Sequence, residues 1–194
     1  FGAYPAPGDR HVAEFLPYFL NREADRGEKY GLSLMKAYGQ SPEHWAEIRA
    51  HLDGDMPVER YLRRSGEMAI DIIAALSSSP AVGTINYFDA INLPNYGLVT
   101  NLPEGAVLEV PATVGPFGIR GICLGDIPHG VATMLSQRIY QQYLTVEAAI
   151  SGDRQLALQA MLLDPLVPSI EVAEAMLDEL LEAHAEHLPR FYDM

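Results

Sequence analysis

The chain has 194 residues, 48% of them hydrophobic, and its 26 acidic against 13 basic side chains give a formal net charge of −13. Such a length supports one well-buried core, and mean hydropathy near zero marks an ordinary soluble composition. The charge argues against a nucleic-acid partner, which would need clustered Lys and Arg to displace counterions, and the apolar stretches fall short of the roughly 20 residues that span a bilayer.

The acids are spread along the chain, so solubility accounts for them. No repeat, low-complexity segment or secretory leader is visible. Cys123 is the single cysteine and cannot form an internal disulfide, which points to a reducing, cytoplasmic setting. A first residue of Phe1 rather than Met suggests a fragment or processed product of a longer chain.

In chain order, residues 1–7 carry two prolines and read as a loop. Val12, Phe15, Leu16 and Phe19 predict a helix over 9–20, interrupted by Pro17. Ser41-Pro42-Glu43 is a helix start, with a side-chain cap, proline at the first position and an acid near the positive dipole end. That helix should run to about His51, with Trp45 in the core. A second is expected from about Pro57 to Leu76, ending at Ser77-Ser78-Ser79-Pro80. Residues 81–90 and 106–114 are rich in Val, Ile, Tyr and Thr and read as strands joined by 92–103. A loop containing Gly115, Gly118, Gly121 and Gly125 follows. Ile127, Val131, Leu135, Ile139, Tyr143, Val146 and Ile150 then step by three or four, a stripe that demands burial against another helix or another subunit. Gly152-Asp153 ends this helix, a shorter one reaches about Leu163, and Ser169 caps a final helix with Ile170, Ala173, Leu177, Leu180, Leu181 and His184 on one face. The pattern implies an α+β fold. No G-x-G-x-x-G lies between a strand and a helix, so the usual dinucleotide cradle is not in this sequence.

Asp9, Arg10, His11 and Glu14 form the densest polar group. On pattern alone Asp9 reads as a helix cap, and His11 with Glu14 as a surface pair, two ligands being too few for a metal. His184 and His187 are a similarly weak metal signal, and His184 reads as a hydrogen-bonded core or edge histidine. Cys123 has no Cys or His at ligand spacing and reads as a buried free thiol. His129 is given no role.

Six segments in order resemble glycoside hydrolase family 4. They begin with Gly8-Asp9-Arg10-His11-Val12-Ala13-Glu14-Phe15-Leu16-Pro17 and Ser65-Gly66-Glu67. Then comes the C-terminal signature, Asn92-Leu93-Pro94-Asn95-Tyr96-Gly97-Leu98-Val99-Thr100-Asn101-Leu102-Pro103 with Val107-Leu108-Glu109-Val110-Pro111. Gly125-Asp126-Ile127-Pro128, Val146-Glu147-Ala148-Ala149 and Leu163-Asp164-Pro165-Leu166-Val167 complete the set. The resemblance is strongest to the α-galactosidase, α-galacturonidase and α-glucosidase branch.

The resemblance implies a lactate/malate dehydrogenase C-terminal-domain-like fold, with helices around a small, mostly antiparallel sheet. It implies that residues 1–194 are a single domain, the substrate and oligomerisation part of a longer chain whose N-terminal NAD-binding Rossmann domain is absent here. The implied activity is hydrolysis of α-glycosides, galactoside or galacturonide favoured, by oxidation at carbon 3, proton abstraction at carbon 2 and elimination. These enzymes stand outside the two-carboxylate scheme. NAD and Mn²⁺, or another divalent metal, serve the full-length enzyme, with no cofactor or metal ligand assigned in this chain. Asp9 matches the base, Arg10 and His11 would lie beside the sugar, and Asn95 is a candidate for the site wall. The fragment alone is expected to be inactive, and a homo-oligomer is expected. The alternative is a non-catalytic, stand-alone interaction domain of the same fold.

Overall fold

A computed structural model of the chain describes residues 1–3, 8–23, 25–30, 42–62, 66–79 and 84–192. It divides into two compact units, Tyr4–Ile73 on the one hand and Phe1–Ala3 with Ala74–Met194 on the other.

In the first unit, proline and glycine set the helix boundaries. Gly8 has φ 87°, and its carbonyl accepts from the Val12 N–H at 3.3 Å. The first helix, α1 (Asp9–Ala13), therefore begins at Asp9 with a glycine before it. The helix expected over 9–20 breaks after Ala13, and α2 (Pro17–Leu20) starts afresh with Pro17 in its first turn, where the missing N–H costs nothing. Phe19 packs edge-on against Tyr30 of the 3₁₀ turn Asp25–Tyr30, ring centroids 5.3 Å apart. Helix α3 (Pro42–Leu52) follows; Ser41, its expected cap, lies outside the described residues. Trp45 is 54% exposed, so its expected place in the core is corrected. Helix α3 buries none of its residues.

The continuous helix expected from Pro57 to Leu76 is also corrected. It consists of a 3₁₀ turn, Glu59–Tyr61, and a separate helix α4 (Ala69–Leu76), with Gly66 in a bend between them. Glycine in a helix interior costs about 1 kcal/mol relative to alanine, which favours the break there. Helix α4 crosses the division between the units, and the Ser78 hydroxyl donates to the Ala75 carbonyl at 2.7 Å as it ends.

The second unit is built on an antiparallel sheet in the order β1 (Asn86–Pro94), β2 (Val107–Gly115), β3 (Gly118–Gly121). Expectation and structure differ here. The first strand begins later and runs further than 81–90, and residues 81–83 lie outside the described set. The third strand falls in what reads as a glycine-rich loop. It forms because Pro116 and Phe117 close a two-residue hairpin that pairs Gly115 with Gly118, whose φ of 107° few side chains tolerate. One extra residue in β1 makes a bulge between Phe88 and Ile91. Pro111 of β2 sits opposite that bulge, where no ladder donor is needed. The bulge also puts Phe88 and Ile91, three apart, on the buried face with Val110, Ala112 and Val114.

Helix α5 (His129–Ser151) supplies Ala132 and Ile139 to a core shared with Val99, Leu102, Ala106 and Val110. Its expected stripe is only partly covered: Ile139 is buried, while Leu135, Tyr143, Val146 and Ile150 are exposed. The helix end read at Gly152 and the cap read at Ser169 match the structure. Gly152 ends α5 at φ 75°, donating to the Ala148 carbonyl. Asp153 caps α6 (Arg154–Leu162) through Gln155 N–H at 2.7 Å and Leu156 N–H at 3.2 Å. Ser169 caps α7 (Ile170–Ala183) through Val172 N–H at 3.3 Å. The α7 face buries Ala173, Leu177 and Leu181, but Ile170, Leu180 and His184 are exposed, so His184 is not in the core and stands at the edge of this face. His184 is the residue at the helix end, its N–H turned back to the Leu180 carbonyl.

Candidate functional site

Two stretches carry the predicted residues. Asp9, Arg10 and His11 are the first three residues of α1 in the first unit. The His11 Nδ1 lies 3.5 Å from the Glu14 carboxylate, the surface pair the i, i+3 spacing implies. Asn95 lies in the second unit, at the start of the loop joining β1 and β2.

Asn95 is the one buried polar residue among those described, at 1% exposure. Its side-chain amide donates to the carbonyls of Val99 at 2.9 Å, Leu102 at 3.1 Å and Pro103 at 3.1 Å, while its carbonyl oxygen accepts from the Val99 N–H at 2.9 Å. The Asn95 backbone adds bonds to Ala106 at 2.7 Å and Gly105 at 3.0 Å. The loop thus closes around one amide that satisfies groups a turn of this length would otherwise bury unpaired. Asn95 shapes the loop from inside.

A second asparagine ties this loop to the segment before α5. Asn101 donates to the Ile127 carbonyl at 2.7 Å and accepts from the Ile127 N–H at 3.0 Å, imitating a strand pair. The Thr100 hydroxyl bonds the Asp126 carboxylate, Val99 bridges to Gly125, and Leu124 N–H reaches the Leu98 carbonyl at 2.7 Å. Leu98 lies over Gly121, where a Cβ would sit 2.7 Å from its methyl group, so a larger residue there would require the leucine to shift. Sequence reasoning passed over Asn101, Thr100 and Asp126. The available signal was an asparagine beside a Leu-Pro step at each end of the loop. Cys123 is exposed rather than buried, and its thiol lies 3.3 Å from the Gly97 carbonyl. That position on an outer connecting segment explains the correction.

The Leu163-Asp164-Pro165 motif has a structural task. Arg138 of α5 reaches Asp164 at 2.9 Å, with the two side chains 23% and 25% exposed. Gln141 donates to the same carboxylate at 3.2 Å, and the Leu166 N–H at 2.9 Å. Burial alone would raise the Asp164 carboxyl, but the Arg138, Leu166 and Gln141 hydrogen bonds and the Arg138 charge together hold it below its ordinary value. The Glu171 carboxyl is lowered by hydrogen bonding to Ser169 and to its own backbone at the start of α7. Asp164 and Gln141 also line a pocket of about 440 Å³, with Ala148, Ala160, Met176 and Leu181 among its other walls.

Among the described residues, no three His, Cys, Asp or Glu side chains gather as a metal-binding group. No helix among the described residues is long and apolar enough to cross a membrane.

The C-terminal domain of family 4 glycosyl hydrolases matches residues 1–167. The α-galactosidase of Rhizobium meliloti (strain 1021) is 31% identical over 98% of this chain and 41% of its own length. The α-galacturonidase of Bacillus subtilis (strain 168) is 33% identical over 94% of this chain and 40% of its own. The crystal structure of the 6-phospho-β-glucosidase from Thermotoga maritima with manganese, NAD⁺ and glucose-6-phosphate superposes with a TM-score of 0.63 at 25% identity, over 89% of this chain and 41% of that one. The chain belongs to glycoside hydrolase family 4, as a C-terminal domain with the lactate-dehydrogenase C-terminal-like fold. It spans about two-fifths of the length of the curated relatives it matches.

Proposed function

We propose that this chain is the substrate-side half of an NAD- and Mn²⁺-dependent α-glycosidase that acts on α-galactosides or α-galacturonides. The likeness to an α-galactosidase and an α-galacturonidase, which runs through nearly the whole chain, carries this reading. In this reading the oxidation at carbon 3 that acidifies carbon 2 belongs to a preceding Rossmann domain, as do the NAD and metal sites.

The contribution of this chain is the base. Asp9 accepts the carbon 2 proton as a carboxylate. The C–H electron pair moves toward carbon 1, and the glycosidic oxygen leaves with the electrons of its bond. Next to a ketone such a proton is acidic enough for a modest base. Arg10 and His11 serve the hydroxyls or carboxylate of the sugar, and Asn95 acts as a positioning residue by shaping the signature loop. The outward apolar residues of α5, Val146 and Ile150 among them, suit a contact between copies of the whole enzyme. A reducing, cytoplasmic setting suits the single thiol.

The test is an assay of the longer enzyme with NAD, Mn²⁺ and a panel of nitrophenyl α-glycosides. The reading expects turnover of α-galactoside or α-galacturonide with the longer enzyme, and none with residues 1–194 alone. Hydrolysis by residues 1–194 alone, or no turnover of either sugar by the longer enzyme, contradicts it.

A further inference from the structure

Glu14 follows His11 by three residues, and its carboxylate stands 3.5 Å from the His11 Nδ1. The two ends of this contact are unequal. The His11 side chain is 64% exposed and that of Glu14 only 33%, so the carboxylate is the sheltered partner and the imidazole the solvated one. The backbone around Glu14 is also held. Phe15 N–H donates to the Val12 carbonyl and Leu16 N–H to the Ala13 carbonyl, both at 3.1 Å. Ala13 is buried on one side, and Pro17 opens α2 on the other. His187 and Glu186 make the contrast, two neighbouring side chains of a 3₁₀ turn that are 72% and 81% exposed.

A neutral imidazole carries one N–H, and the group beside each nitrogen decides which one. A carboxylate accepts and does not donate, so Glu14 beside Nδ1 favours the proton there and leaves the lone pair on Nε2. In water histidine prefers the opposite tautomer, with the proton on Nε2, so the difference can be measured. An accepting Nε2 suits a sugar hydroxyl, which donates. It repels a carboxylate, which only accepts.

We propose that Glu14 is a positioning residue that holds His11 as the Nδ1–H tautomer, so that Nε2 accepts from a sugar hydroxyl. A galacturonide carboxylate is then met by a group other than His11. The hydroxyl contact rests on the glycosidase reading above, and the tautomer rests on the His11–Glu14 geometry alone.

The first experiment is long-range ¹H–¹⁵N NMR of the histidine rings of the 194-residue chain at about pH 8, with His11 assigned by the loss of its signals in His11→Ala. The Nδ1–H form is expected to dominate in the wild type and to give way to Nε2–H in Glu14→Ala. A wild-type ring protonated mainly on Nε2, or a tautomer unmoved in Glu14→Ala, overturns the inference. The second experiment is steady-state kinetics of the longer enzyme on nitrophenyl α-galactoside. Glu14→Ala should raise KM about fivefold, the worth of one hydrogen bond, with kcat kept. In a His11→Ala background the same substitution should change nothing. A purely structural Glu14 would cost as much there as in the wild type, and that result also overturns the inference. A wild-type longer enzyme inactive on both α-galactoside and α-galacturonide removes the glycosidase reading and the hydroxyl contact with it, while the tautomer stands or falls by the NMR.

Discussion

Replacing Asn95 by alanine should unlock the loop between β1 and β2. The substitution removes donors to the carbonyls of Val99, Leu102 and Pro103 and the acceptor for the Val99 N–H, all from a residue 1% exposed. A typical hydrogen bond is worth about 1 kcal/mol net, and buried groups left unpaired cost more, so the loss should be about 3 kcal/mol. A domain is held by only about 5–15 kcal/mol, so that is a large fraction of the whole. The assay is amide hydrogen exchange read at Val99, with urea unfolding followed by circular dichroism. Fluorescence of Trp45 is the wrong probe, because that residue belongs to the other compact unit. Protection at Val99 should fall by a factor of roughly 100. Asn95→Asp should cost still more, since it sets a carboxylate against the three carbonyls. Val99 protection within threefold of wild type in Asn95→Ala would show that the loop does not hang on this amide.

Two further substitutions test the helical half. Gly152→Ala places a Cβ at φ 75° and onto the carbonyl oxygen of Arg190, whose guanidinium caps the Ile150 carbonyl. A left-handed alanine costs about 1–2 kcal/mol before any clash. Thermal unfolding should therefore shift down by several degrees, and an unchanged midpoint would contradict the close approach. Asp164→Asn should cost about 1–2 kcal/mol at neutral pH, a partly exposed pair being screened by solvent. The Asp164 carboxyl is held below its unfolded value of 3.8, so its stabilisation is complete above that value and fades as pH falls through the lower folded one. The gap between wild type and Asp164→Asn should therefore be widest at neutral pH and close below about pH 4. A gap that widens on acidification would reverse the assignment.

What could be read from the sequence was what local chemistry decides. Pro17, Pro42, Gly152, Asp153 and Ser169 set helix boundaries through backbone donors, handedness and caps, and each sits where its chemistry places it. Contacts between distant segments were not legible. The strand Gly118–Gly121 is half glycine, and β2 with a two-residue turn templates it. The exposure of Trp45 and Cys123 depends on what packs around them, which hydrophobicity alone does not give.

The candidate site divides in the same way. Asp9, Arg10 and His11 stand together because they are consecutive, so their association was visible in the motif. The interior role of Asn95 depends on Val99, Leu102 and Pro103 returning to it, and the pairing of Asn101 with Ile127 spans 26 positions. Neither has a periodicity to betray it. The resemblance to family 4 supplied the order of the motifs, and the structure supplied the reason for two of them, the asparagine-held loop and the Arg138–Asp164 pair.

We propose above that this chain brings the base, Asp9, to a longer glycosidase. Solvent deuterium incorporation at carbon 2 of the product, followed by NMR, tests it most directly in the longer enzyme carrying Asp9→Asn. Exchange is expected in the wild type and should be lost in the variant, with sugar binding retained. Exchange at the wild-type rate in Asp9→Asn would mean that another residue takes the proton.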